Sequence, residues 1–144
     1  MKVSKNISQA YMVLLFLLLP ATSDLYATEL RAFKSDGCSA FPNGTSGQND
    51  LWLNCCIEHD KYYWVGGTYE ERLNADQRLK RCVARSGEPA IAMLMLAAVR
   101  IAGTPFLPTS FRWGYGWPVY RGYKALSAEE VEAVNLQISQ PGFD

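Results

Sequence analysis

The feature that most constrains this chain is the pair Gly66-Gly67, set between two stretches that both read as helix. The first stretch opens with Asn49 or Asp50 as its N-cap and runs to about Val65, where the glycines stop it. The second opens on Thr68-Tyr69-Glu70-Glu71, a capping box in which the threonine covers the helix end and Glu71 reaches back. It runs to about Ser86 and ends at Gly87, with Lys80, Arg81 and Arg85 in its last turns, where the helix dipole favours cations. Two long helices on so short a link must fold back antiparallel.

Around this hairpin the chain divides simply. Residues 34–50 are rich in Gly, Ser, Asn and Asp and read as a loop, long enough to need a function or a tether, and Cys38 can supply the tether. Pro89 to Ala102 reads as a third helix with proline in its first turn, apolar almost all round until Arg100. Such a helix is either buried or shows a face to lipid, and burial is the commoner case. Residues 104–110 form a proline-bearing linker to an aromatic, glycine-rich stretch, 111–123. Ser127-Ala128-Glu129-Glu130 is a second capping box and starts a short terminal helix that ends before Pro141-Gly142. The expected architecture is all-α and single-domain, spanning 28–144, with a motif core at 36–86 and a C-terminal extension at 87–144.

Residues 1–27 are set apart. Lys2 and Lys5 precede an unbroken apolar run from Met12 to Leu19, then Pro20 and the small residues Ala21, Ser23 and Ala27. That is the layout of a secretory signal peptide, cleaved after Ser23 or Ala27. A membrane anchor needs about 20 apolar residues, so no transmembrane segment is expected in the mature chain, which should be secreted or periplasmic. All four cysteines, Cys38, Cys55, Cys56 and Cys82, lie in that mature part. An even count in an exported chain implies two disulfides, with three connectivities open. A zinc site is disfavoured, because CxxC spacing is missing and adjacent Cys55-Cys56 suits it poorly. Charge is balanced, 14 basic against 14 acidic residues, which argues for neither a nucleic-acid partner nor an acidic one.

His59 is the only histidine, so any imidazole chemistry rests on it. It shares a helix face with Cys55, whereas Asp60 points about 100° away and must serve a different partner. If Cys55 bonds Cys82, walks away from that crosslink reach His59 after ~6 Å on one helix and Asp76 after ~9 Å on the other. Asp76 then stands near the level of His59 and Tyr63. A carboxylate on one imidazole nitrogen fixes the tautomer and leaves the other as a general base. Asp60 remains free for a cation, and oxygens of the Cys38 loop would suit calcium, provided a crosslink holds that loop over the helix.

The segment Cys55-Cys56-Ile57-Glu58-His59-Asp60-Lys61-Tyr62-Tyr63 resembles the Cys-Cys-x-x-His-Asp-x-x-Tyr signature of secreted phospholipases A2, and Asp76 and Cys82 keep that family's spacing on the second helix. The likeness, to a short four-cysteine variant of the bacterial kind, covers about 36–83. It implies calcium-dependent hydrolysis of the sn-2 ester of a glycerophospholipid at a membrane surface. His59 would activate water, with Asp76 and Tyr63 holding it. Asp60 would bind calcium together with carbonyls of Gly37, Ser39 and Phe41. The disulfides would be Cys38–Cys56 and Cys55–Cys82, and the protein a monomer. The chain departs from animal members in two ways. Tyr62 and Ala75 stand where a further disulfide would be, and Cys38 is followed by Ser-Ala-Phe-Pro-Asn-Gly44 instead of closely spaced glycines.

A catalytically silent relative that binds lipid or a protein is the alternative, to which the altered loop points. The aromatic stretch is either a packed, glycine-kinked loop or an interfacial segment. In the second case Trp113 and Trp117 would sit at the lipid boundary, and Arg112 and Arg121 would meet phosphates. Aromatic and Arg residues also interleave in single-strand nucleic-acid binders, a reading that export and balanced charge disfavour.

Overall fold

A computed structural model describes residues 30–143; the expected signal peptide lies outside them. Among the described residues four helices follow one another: α1, Leu53–Val65; α2, Tyr69–Arg85; α3, Pro89–Ala102; and α4, Ala128–Ile138. No strand occurs among the described residues beyond an isolated bridge between Thr45 and Gln48. The described chain is therefore all-helical, with two disulfides, Cys38–Cys56 and Cys55–Cys82. No described helix is long and apolar enough to cross a membrane.

Both capping boxes form as written in the sequence. Thr68 and Ser127 each accept from the backbone N–H three residues on, while Glu71 and Glu130 reach back to the cap. The start of α1 differs. It begins at Leu53, with Trp52 as N-cap and no side-chain cap, rather than at Asn49 or Asp50. Trp52 N–H donates to the Asn43 carbonyl and its indole donates to the Pro42 carbonyl, with the ring buried. That tether holds residues 49–52 as turns of the loop and delays the helix.

Between α1 and α2 the pairs run Cys55 with Cys82, His59 with Asp76 and Tyr63 with Arg72, so rising numbers on one helix meet falling numbers on the other. One core surrounds the disulfides, where Trp52, Leu79, Val83, Ala92 and Met95 pack together. α3 packs on α2, but only Ala92 and Met95 of α3 are fully buried, and Met93, Leu94 and Ile101 face outward.

The aromatic stretch closes the other end. Four of the last free acceptors of α1 and its link are met from this segment: Tyr63 carbonyl by Gly114 N–H, Trp64 by Gly116 N–H, Val65 by the Trp117 indole and Gly67 by the Trp113 indole. A helix end buried in this way needs such partners. The backbones approach closely. Gly66 sits at φ 70°, and a Cβ there would meet the Cα of Gly114 at 2.8 Å. This corrects the interfacial expectation. Trp113 and Trp117 are 2% and 0% exposed and are part of the packing. Arg112 is also buried, its guanidinium donating to the carbonyls of Trp113, Gly114 and Trp117, so it shapes a turn and meets no phosphate. Arg121 pairs with buried Glu130.

Candidate active site

Gly66-Gly67 and the Cys55–Cys82 crosslink fix the register of α1 on α2, and that register sets Asp76 opposite His59. The imidazole Nε2 lies 3.0 Å from Asp76 Oδ1. Tyr63 donates its hydroxyl to the same oxygen at 2.7 Å, and its ring lies 4.1 Å from the imidazole, centroid to centroid. Asp76 is wholly buried and His59 nearly so. Burial, and next the Asp76 charge, push the Tyr63 hydroxyl far above the usual phenol range, so it remains a donor. A carboxylate can only accept, so Nε2 carries the proton. Nδ1 then holds the lone pair, and no protein group among the described residues bonds to it.

Two arginines complete this cluster, and neither was singled out as functional from the sequence. Arg100 of α3 places Nε 2.6 Å from Asp76 Oδ2, an ion contact without hydrogen-bond alignment. It also donates to the Leu73 carbonyl. Arg72, buried, donates to the Tyr63 hydroxyl and to the carbonyls of Val99 and Arg100 at the end of α3. The available signal was a lone basic residue in an otherwise apolar helix. Its partner, on the neighbouring helix, carries no local trace.

Asp60 faces the Cys38 loop, where Ser35 donates to Asp60 Oδ2 at 2.6 Å. Burial raises the Asp60 carboxyl to about 7; the Ser35 hydrogen bond opposes the rise and the neighbouring Asp36 charge adds to it. This is a carboxylate short of positive charge. The loop is curled beside it. Gly37 has φ 78° and Ser39 φ 54°, Cys38 N–H donates to Asn43 Oδ1, and Cys56 crosslinks Cys38. Among the described residues the carbonyls of Gly37, Ser39 and Phe41 accept no hydrogen bond. No three His, Cys, Asp or Glu side chains among the described residues converge as a metal cluster. A site in this loop would therefore be rich in carbonyls, with Asp60 as a charged donor. Such oxygen donors fit calcium and fit zinc poorly.

These parts share one cavity of about 190 Å³, lined by the loop residues Gly37 to Phe41, His59, Asp60 and Tyr63. Its remaining wall is apolar and comes largely from α3, through Met95, Ala98, Val99 and Ala102, with Phe111 from the start of the aromatic stretch. The structure thus brings His59, Tyr63 and Asp76 together, sets Asp60 with Gly37, Ser39 and Phe41 around the same cavity, and keeps Arg112, Trp113 and Trp117 out of it. A base, a carboxylate that holds it and an apolar recess can serve attack of water on an ester with a long acyl chain. No protein-family model, curated protein or solved structure matches this chain.

Proposed function

We propose that this protein is a calcium-dependent hydrolase of glycerophospholipid esters, acting at the sn-2 acyl group as its resemblance to secreted phospholipases A2 implies. The observation that carries the reading is a single one. His59 offers an unbonded Nδ1 while Asp76 holds Nε2, at a cavity lined by apolar side chains on one side and by Asp60 and the curled loop on the other. The partner order along α1 and α2 supports the antiparallel hairpin of that family, and the two disulfides suit an exported chain, secreted or periplasmic.

In this mechanism His59 Nδ1 takes a proton from water as the oxygen attacks the ester carbonyl, and returns it to the glycerol oxygen as the acyl C–O bond breaks, leaving the free fatty acid and the lysophospholipid alcohol. The imidazolium that forms is stabilised by Asp76, which Tyr63 and Arg100 keep in place. Asp60 and the carbonyls of Gly37, Ser39 and Phe41 would hold calcium. Bound there, calcium would supply Lewis-acid polarisation of the ester carbonyl. The apolar wall takes the acyl chain and excludes water from it. Exposed Leu94 and Ile101 on α3, the helix that also lines the cavity, and Phe106 on the linker that follows it support a substrate presented at a lipid surface.

A catalytically silent, lipid- or protein-binding relative is the second reading, favoured by the Ser35 hydroxyl that already occupies Asp60. Mixed phospholipid vesicles with calcium, and again with chelator, separate the two. The enzyme releases fatty acid only with calcium; a silent binder associates with the vesicles and releases none.

A further inference from the structure

A second cavity, of about 250 Å³, opens on the groove between α1 and α2 beside the Cys55–Cys82 disulfide. Cys55, Glu58, His59 and Tyr62 line it from α1, and Arg78, Arg81 and Arg85 from α2, so the His59 ring stands between this cavity and the apolar one. The three arginines recur at helical spacing along ~10 Å of one face. Among the described residues none of them has a salt bridge or a side-chain hydrogen bond. Glu58 is the lone carboxylate in the lining, and Lys61 already pairs with it at 3.0 Å. Tyr62 gives Arg78 a platform, with the guanidinium 5.5 Å from the ring centre. In a chain with formal charge zero, three uncompensated guanidiniums around one recess form a local excess that charges scattered over a surface do not create. Guanidinium forks match the oxygens of a phosphate.

We propose that this groove is a phosphate-binding site, formed by Arg78, Arg81 and Arg85 on the far side of His59 from the apolar cavity, and independent of whether the protein hydrolyses lipid. The phosphate is either that of an anionic lipid headgroup or a free one. Each arginine near such an anion contributes ~fivefold to binding, so Arg78→Gln with Arg81→Gln weakens it ~25-fold. Removing the acidic rim by Glu58→Gln tightens it. Binding fades in 1 M salt, where screening acts over ~3 Å.

The test uses the full chain and two probes. Inorganic phosphate is titrated while the backbone amides of 78–85 are followed by NMR. Sedimentation with ether-linked phosphatidylcholine vesicles, with and without ether-linked phosphatidylglycerol, tests the lipid source without hydrolysis. Phosphate shifting those amides, with no gain from phosphatidylglycerol, identifies a free phosphate. A gain from phosphatidylglycerol identifies the headgroup. Either supports the site when the double glutamine variant loses it and Glu58→Gln strengthens it, with unfolding temperatures unchanged. No response to either probe, or equal binding by wild type and the double variant, overturns the proposal, whatever the hydrolytic activity proves to be.

Discussion

Replacing Asp76 by asparagine changes almost no volume and removes one negative charge from the centre of a buried cluster. The carboxylate is wholly buried, with Oδ1 shared by His59 and Tyr63 and Oδ2 against Arg100. An asparagine that keeps its oxygen toward Tyr63 turns its NH₂ toward the Arg100 guanidinium, donor against donor. The flipped amide faces His59 with N–H, which forces the imidazole proton onto Nδ1 and blocks the base. Breaking a buried pair costs about 3–5 kcal/mol. The Arg100 side chain keeps 31% of its exposure, so the lower figure, ~3 kcal/mol, applies. At ~4 °C per kcal/mol for a domain of this size the melting temperature should fall by ~12 °C. Calorimetry with the disulfides intact measures it. Arg100→Gln in the same background removes the stranded charge, so the double variant should be less damaged than the sum of the singles. A fall under ~3 °C, or strictly additive effects, would refute the buried ion cluster.

Glu130→Gln isolates a charge from a cap, since glutamine still completes the Ser127 box. The Arg121 hydrogen bond holds the Glu130 carboxyl below its ordinary 4.5. Its stabilisation is therefore present above that value and lost as pH falls through the folded pKa. Wild type should exceed the variant at pH 7 by a margin that shrinks as pH falls through the folded pKa; a margin that is the same at pH 7 and at about pH 2 contradicts this. Gly66→Ala, at φ 70° and facing Gly114, should cost ~3 kcal/mol by denaturant titration. Gly47→Ala, whose added methyl would meet no atom within 4 Å, should stay within ~0.5 kcal/mol. Asp60→Ala should abolish calcium binding in titration calorimetry while both disulfides survive, because carbonyls alone supply no charge.

Features decided within a few residues were legible in advance. Thr68 and Ser127 announce their helices because a capping box closes over four residues, and the uniform helical rise places Asp76 opposite His59 once Cys55 and Cys82 are joined. Features decided across the chain were not. The delayed start of α1 depends on the Trp52 indole finding Pro42. The indoles of Trp113 and Trp117 suit a lipid boundary by type, yet their partners are the carbonyls of Gly67 and Val65, 46 and 52 residues earlier. Arg72 and Arg100 reach their roles through contacts of α3 on α2 that no short window contains.

The central claim is that His59 acts as a base on water, and replacing it by glutamine tests this most directly, since glutamine cannot accept a proton at neutral pH. Fatty acid release from phospholipid vesicles in calcium should fall ~10²–10⁴-fold in His59→Gln, with a smaller loss in Asp76→Asn. Equal release by wild type and His59→Gln would contradict the account.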